Sequence, residues 1–188
     1  VGPGTVFFCV GVGWTAVSAF LAIYAREIGL AGSQGLFLVL SAAVLATRAV
    51  AGNLADRVGR IAVALPGSVA VALGLATLAA FQQPVAACLG LIAFGAGFSG
   101  LFPALLALVV DRAPPRERGT AMSSFNVFFD VGAPIGGYGM GQLVDWGGFG
   151  LGFGVMAGLA ATGGLLLLRL ARREGGQRVT VVRVGDPA

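Results

Sequence analysis

Runs of roughly twenty predominantly apolar residues, each long enough to cross a hydrocarbon core of ~30 Å as a helix, recur along nearly the whole chain. They lie at about Thr5 to Tyr24, Leu36 to Leu54, Ile61 to Phe81, Val85 to Val110, Met122 to Val144 and Phe149 to Leu170. Between them stand "REIGLAGSQG", "ADRVGR", "QQP", "DRAPPRERG" and "DWGG", where glycine, proline and charge mark loops. The pattern predicts an all-α polytopic membrane protein of six transmembrane helices. A bundle over residues 1–171 is followed by a basic tail over 172–188.

Composition agrees and narrows the chemistry. Apolar residues make up 57% of the chain and charged ones 11%, against about a quarter charged in soluble domains. Mean hydropathy is +0.91. The first apolar run lacks a basic segment before it and is followed by five more, which argues against a cleaved signal. Cys9 and Cys88 both fall inside predicted spans, so no disulfide framework is expected. The chain has no histidine, which excludes Ser-His-Asp triads and His-containing zinc sites. "GAGFSG" fits a dinucleotide-binding spacing but sits inside an apolar run with no strand before it. No enzyme, cofactor or metal is expected.

Charge sets the orientation. With six spans, the loops after the second and fourth share a side with both ends. That side carries Arg57, Arg60, Arg112, Arg116, Arg118, Arg169, Arg172, Arg173, Arg178 and Arg183, and the opposite side only Arg26. Loops rich in basic residues stay in the cytoplasm, so both ends are expected there, in a bacterial inner membrane. The same arginines account for the pI near 10 without nucleic acid, because lipid headgroups attract them.

Two matches suggest internal repetition. "GNLAD" (52–56) and "GQLVD" (141–145) both read G-x-L-x-D, and "GVGWT" (11–15) aligns with "GAGFS" (95–99). Two three-helix units, about 5–81 and 85–170, would follow one another. Because three is odd, the second unit enters the membrane from the other side, so the repeats are inverted. Four-residue spacing of Gly150, Gly154 and Gly158 suggests close helix packing.

"GNLADRVGR" resembles the loop signature G-x-L-a-D-r-x-G-r of the major facilitator superfamily, between the second and third helices of a six-helix half. "GAGFSGLFPALLALVVDRAPPRERGTAMSSFNVFFDVGAPIGGYGMGQLVD" is similar to the fourth and fifth helices of such a half. The resemblance runs from about Val6 to Leu170. It implies a secondary transporter half working by alternating access with a second six-helix half, a small-molecule substrate and the lipid bilayer as surroundings. The lack of an initial methionine, entry from the cytoplasmic side and the basic tail point to the C-terminal half. Two departures stand out: Ile61 replaces the signature's final basic residue, and "GAPIGG" only partly matches an element found in some exchangers.

Candidate residues follow. In the loop, Gly52 and Gly59 permit a tight turn, while Asp56, Arg57 and Arg60 can form a clamp between helix ends. Arg48 and Asp130 are charges inside spans and lie at similar expected depth, where an ionisable group is a functional candidate by default. Asp130 is the candidate for proton coupling. The resemblance places the first and fourth helices along the substrate cavity, which points to Trp14, Thr15, Ser18, Phe98, Ser99 and Phe102. That lining has no charge and suits a neutral or amphipathic solute. No ATP-binding motif is evident, so a gradient is the expected energy source, with efflux one direction. The rival expectation is a non-transporting six-helix scaffold, for which glycine packing and topology arginines suffice.

Overall fold

Helix boundaries follow the local chemistry. A computed structural model describes residues 2–184, with side chains described outside 50–58 and 173–184. Helix α1 (Pro3–Glu27) starts on a proline, whose missing N–H has no helical partner at that position anyway. It closes with Leu30 N–H donating to Ala25 O at 2.9 Å around Gly29, whose φ is 81°. That is a Schellman stop, which needs the left-handed conformation glycine adopts freely. Helix α2 (Gln34–Val58) and helix α3 (Arg60–Ala80) are separated by Gly59 alone, at φ 97°. The expected tight turn is therefore one residue long.

Helix α4 (Pro84–Arg112) again begins on proline and ends before the 3-10 turn Pro115–Glu117. Helix α5 (Arg118–Val184) is one run in hydrogen-bonding terms but contains two non-helical residues, Gly147 and Gly148 (φ 74°, ψ −177°). They divide it into arms 118–146 and 149–184. Among the described residues four stretches are long and apolar enough to cross a membrane: Pro3–Glu27, Arg60–Ala80, Pro84–Arg112 and Pro115–Arg172. In α2 the apolar stretch over the residues with described side chains is Gln34–Ala49. The protein is an all-helical integral membrane protein. The backbone stays helical to Val184, within the stretch expected as a tail.

The helices exchange partners in a regular way. The first arm of α5 lies along α1, where Gly136 faces the Val12 backbone and Phe129 crosses Gly11. Helix α2 lies along α4, with Gly95 against Leu40 and Ala43. Helix α3 packs on α4 through two reciprocal glycine pairs, Gly67 with Gly97 and Gly74 with Gly90. A Cβ on Gly74 would stand 2.6 Å from Gly90 O and Phe94 N, so only glycine permits this approach. The second arm closes on α1 at Gly163, which faces Cys9, and on α3 at Gly164, which faces Ser68.

Of the three glycines expected in a close seam, Gly150 does approach α3, where a Cβ would stand 3.3 Å from Ala79 O, but a Cβ on Gly158 would meet nothing within 4 Å and one on Gly154 only Ala79 at 3.9 Å. Gly163 and Gly164, one turn further along, take that role. Tyr24, fully buried, donates its hydroxyl to Leu78 O at 3.1 Å and packs on Phe149 and Phe153 at 5.2 and 5.1 Å. A phenol enters an apolar bundle because its one polar atom has found an acceptor.

Candidate functional site

Two clefts lined by described residues differ in chemistry. The larger, about 660 Å³ between α3 and the second arm of α5, is walled by residues such as Pro66, Val69, Leu73, Ala161 and Leu165. Its hydroxyl, Ser68, already donates to Leu65 O at 2.7 Å. The smaller, about 520 Å³ between α1 and α2, is lined by Trp14, Ser18, Phe37, Leu40, Ser41, Val44, Leu45 and Arg48. It alone of the two holds a charge.

An aromatic ladder forms the floor behind Trp14. Its ring stacks on Phe98 at 4.3 Å, and Phe98 continues to Phe102 at 6.4 Å. Phe7 joins from α1, 5.1 Å from Phe102 and 4.4 Å from Phe125 on α5. Trp14 and Phe98 are the fourth residues of the matched stretches "GVGWT" and "GAGFS", so equivalent positions of the suggested repeats meet face to face.

The six expected lining residues do not share one role. Trp14 and Ser18 line the cleft, and Phe98 and Phe102 belong to the ladder. Thr15 is half-buried, its hydroxyl donating to Gly11 O one turn back at 3.3 Å. Ser99 is only 3% exposed and donates to Val44 O on α2 at 2.9 Å. A hydroxyl inside an apolar helix needs an acceptor, and here the acceptor lies on the neighbouring helix, so Ser99 fastens α4 to α2 rather than lining the cleft. Arg48, expected as an isolated intramembrane charge, shares the cleft with Trp14 and Ser18.

The intramembrane charges do not pair with each other. Arg48 and Asp130 are both exposed, on α2 and the first arm of α5, and the ion pair between described side chains runs elsewhere. Asp130 sits among exposed apolar residues, Val127, Val131 and Tyr138. In the loop, Arg60 reaches across to Asp111 at the end of α4, Nη1 to Oδ2 3.1 Å, with both side chains partly in solvent. Gly59 makes the turn alone and Gly52, also expected there, lies within helix α2, whereas the side chains of Asp56 and Arg57 lie outside the described residues. Asp111 was missed as a clamp partner because it comes from a different loop. Its signal was the charged "DR" closing the fourth apolar run.

The family model of the Major Facilitator Superfamily matches residues 4–185. The chain belongs to this superfamily. Among its relatives are the uncharacterized MFS-type transporter YhhS of Escherichia coli (strain K12) and that of Salmonella typhimurium, each 28% identical over 170 residues. Those matches cover 90% of this chain and 42% of each relative, so it spans less than half their length. The fold is similar to that of the peptide transporter POT in complex with sulfate, with TM-score 0.81 at 20% identity over 97% of this chain and 43% of that one. The POT family transporter PepTSo aligns at TM-score 0.82 and 19% identity, covering 91% and 36%. The Arg48 cleft thus lies within the residues that the family model matches.

Proposed function

We propose that this chain is one six-span half of a secondary active transporter, two inverted three-helix units that move a small solute by alternating access against a second half. The observation that carries it is the α1–α2 cleft, where Trp14, Ser18 and Arg48 converge on a side of α2 whose large residues, Phe37 and Leu45, remain exposed. A charge and an open apolar wall together fit a surface completed by another domain.

The exchange of partners supports the inverted units: α1 lies on the first arm of α5 as α4 lies on α2, and α3 meets α4 as the second arm meets α1. Such swapped contacts arise when two units are related by an axis in the membrane plane. Asp130 precedes Gly141 by the interval that separates Ser41 from Gly52. It thus occupies the repeat equivalent of a cleft-lining position, which favours a seam or proton-coupling role. The Arg60–Asp111 pair, water-exposed and worth about 0–1 kcal/mol, suits a latch that opens and closes in each cycle.

The test uses the full-length protein in proteoliposomes, with solutes that the parent moves. Trp14→Ala and Asp130→Asn are expected to remove gradient-driven flux at normal abundance and monodispersity. A scaffold would instead lose assembly, and unchanged flux across pH in Asp130→Asn would reduce that carboxylate to a structural group.

A further inference from the structure

We propose that Arg48 makes the α1–α2 cleft a site for an aromatic or apolar monocarboxylate, the carboxylate meeting the guanidinium while the ring lies against Trp14. This names a substrate class for the carrier and rests on the function proposed above.

Phe37, Ser41, Val44 and Arg48 follow one another at three- and four-residue steps, so a single face of α2 looks into the cleft. Opposite stand Trp14 and Ser18, one turn apart on α1. The volume, about 520 Å³, lies in the range of small-molecule sites. Arg48 is the charged residue among the described residues lining it, and no carboxylate is among them. Arginine keeps its charge at every accessible pH, so inside a membrane-spanning protein it needs an anion rather than a proton shift. The described ion pair engages Arg60 and Asp111, which leaves Arg48 without a described acidic partner.

A solute carboxylate answers that need, since its two oxygens match the planar guanidinium fork. Trp14 is held flat by Phe98 at 4.3 Å, which presents an apolar wall to the rest of the solute. Ser18 and Ser41 offer hydroxyls to a polar substituent. A dianionic phosphate would keep one charge uncompensated, because no second cation is among the described residues lining the cleft, and a cationic solute would be repelled.

The experiment measures binding of 1-naphthoate and its uncharged isostere 1-naphthamide to the full-length protein in nanodiscs by calorimetry. Naphthoate should bind roughly 10- to 100-fold more tightly than the amide, the range expected for hydrogen bonds to a charged group. Arg48→Gln should erase that preference by weakening naphthoate far more than the amide, and Arg48→Lys, which keeps the charge but not the fork, should retain part of it. Equal binding of both probes, no binding of either, or an unchanged ratio in Arg48→Gln overturns the proposal. So does a parallel loss of both probes in Arg48→Lys, which would mark Arg48 as a strut between halves. Binding is read without flux. Naphthoate selectivity in a protein that moves nothing would sink the carrier and keep the anion site, whereas flux with equal probe binding would do the reverse.

Discussion

Side chains that look alike in the sequence have separate tasks in the bundle. Ser18 and Ser99 were expected together along a cavity, yet one is exposed in the cleft and the other fastens two helices. Spacing along a single helix cannot tell these apart, because the acceptor for Ser99, Val44 O, is contributed by a different helix. Glycines divide the same way: Gly158 is open, while Gly74 is pressed against Gly90 and the Phe94 backbone. Gly74→Val should therefore destabilise the folded protein by about 1–3 kcal/mol, since the obstructing atoms are backbone and cannot swing aside. Gly158→Val should cost far less. Thermal unfolding in detergent checks the contrast, and equal midpoints for the two variants would remove the special role assigned to the Gly74–Gly90 contact.

At the level of elements, apolar run length located the helices well. Each expected span falls within a helical stretch apart from Phe81, which caps α3, and most helices extend a few residues beyond the span, since a helix continues into the headgroup region after hydropathy fades. "DWGG" was expected as a loop and is instead a two-residue break inside a continuous run. Gly148, at φ 74° and ψ −177°, lies in a region that other residues adopt only under strain of about 1–3 kcal/mol, so Gly148→Ala should lower the unfolding midpoint. Gly147, with extended φ, should tolerate alanine better, its added Cβ meeting chiefly the Leu151 side chain. A Gly148→Ala midpoint matching the parent would mean that the break is set by tertiary packing alone.

For the whole molecule the orientation is the testable quantity. Ten of the twelve basic residues fall on the side shared by both ends of a six-span chain, and the proposed topology accordingly puts the α2–α3 turn in the cytoplasm. A cysteine at Val58 should resist an impermeant thiol reagent added outside intact cells and react once the cells are opened. Labelling from outside would reverse the proposed topology, and with it the assignment of the Arg60–Asp111 latch to the cytoplasmic face.

By itself the sequence determined that this protein lives in a membrane as a bundle of helices and which superfamily it joins. Those properties rest on hydropathy, helix length and a loop signature, all local along the chain. Which side chains meet was decided only by the tertiary structure. Arg48 looked like an isolated charge in an apolar run, and it became part of a cleft with Trp14 because α1 and α2 both line it. The Arg60 partner lies about fifty residues away, on a helix end brought alongside by packing through Gly67, Gly74, Gly90 and Gly97. Contacts between helices depend on how their surfaces fit, and that fit is a property of pairs of helices that no single stretch of residues records.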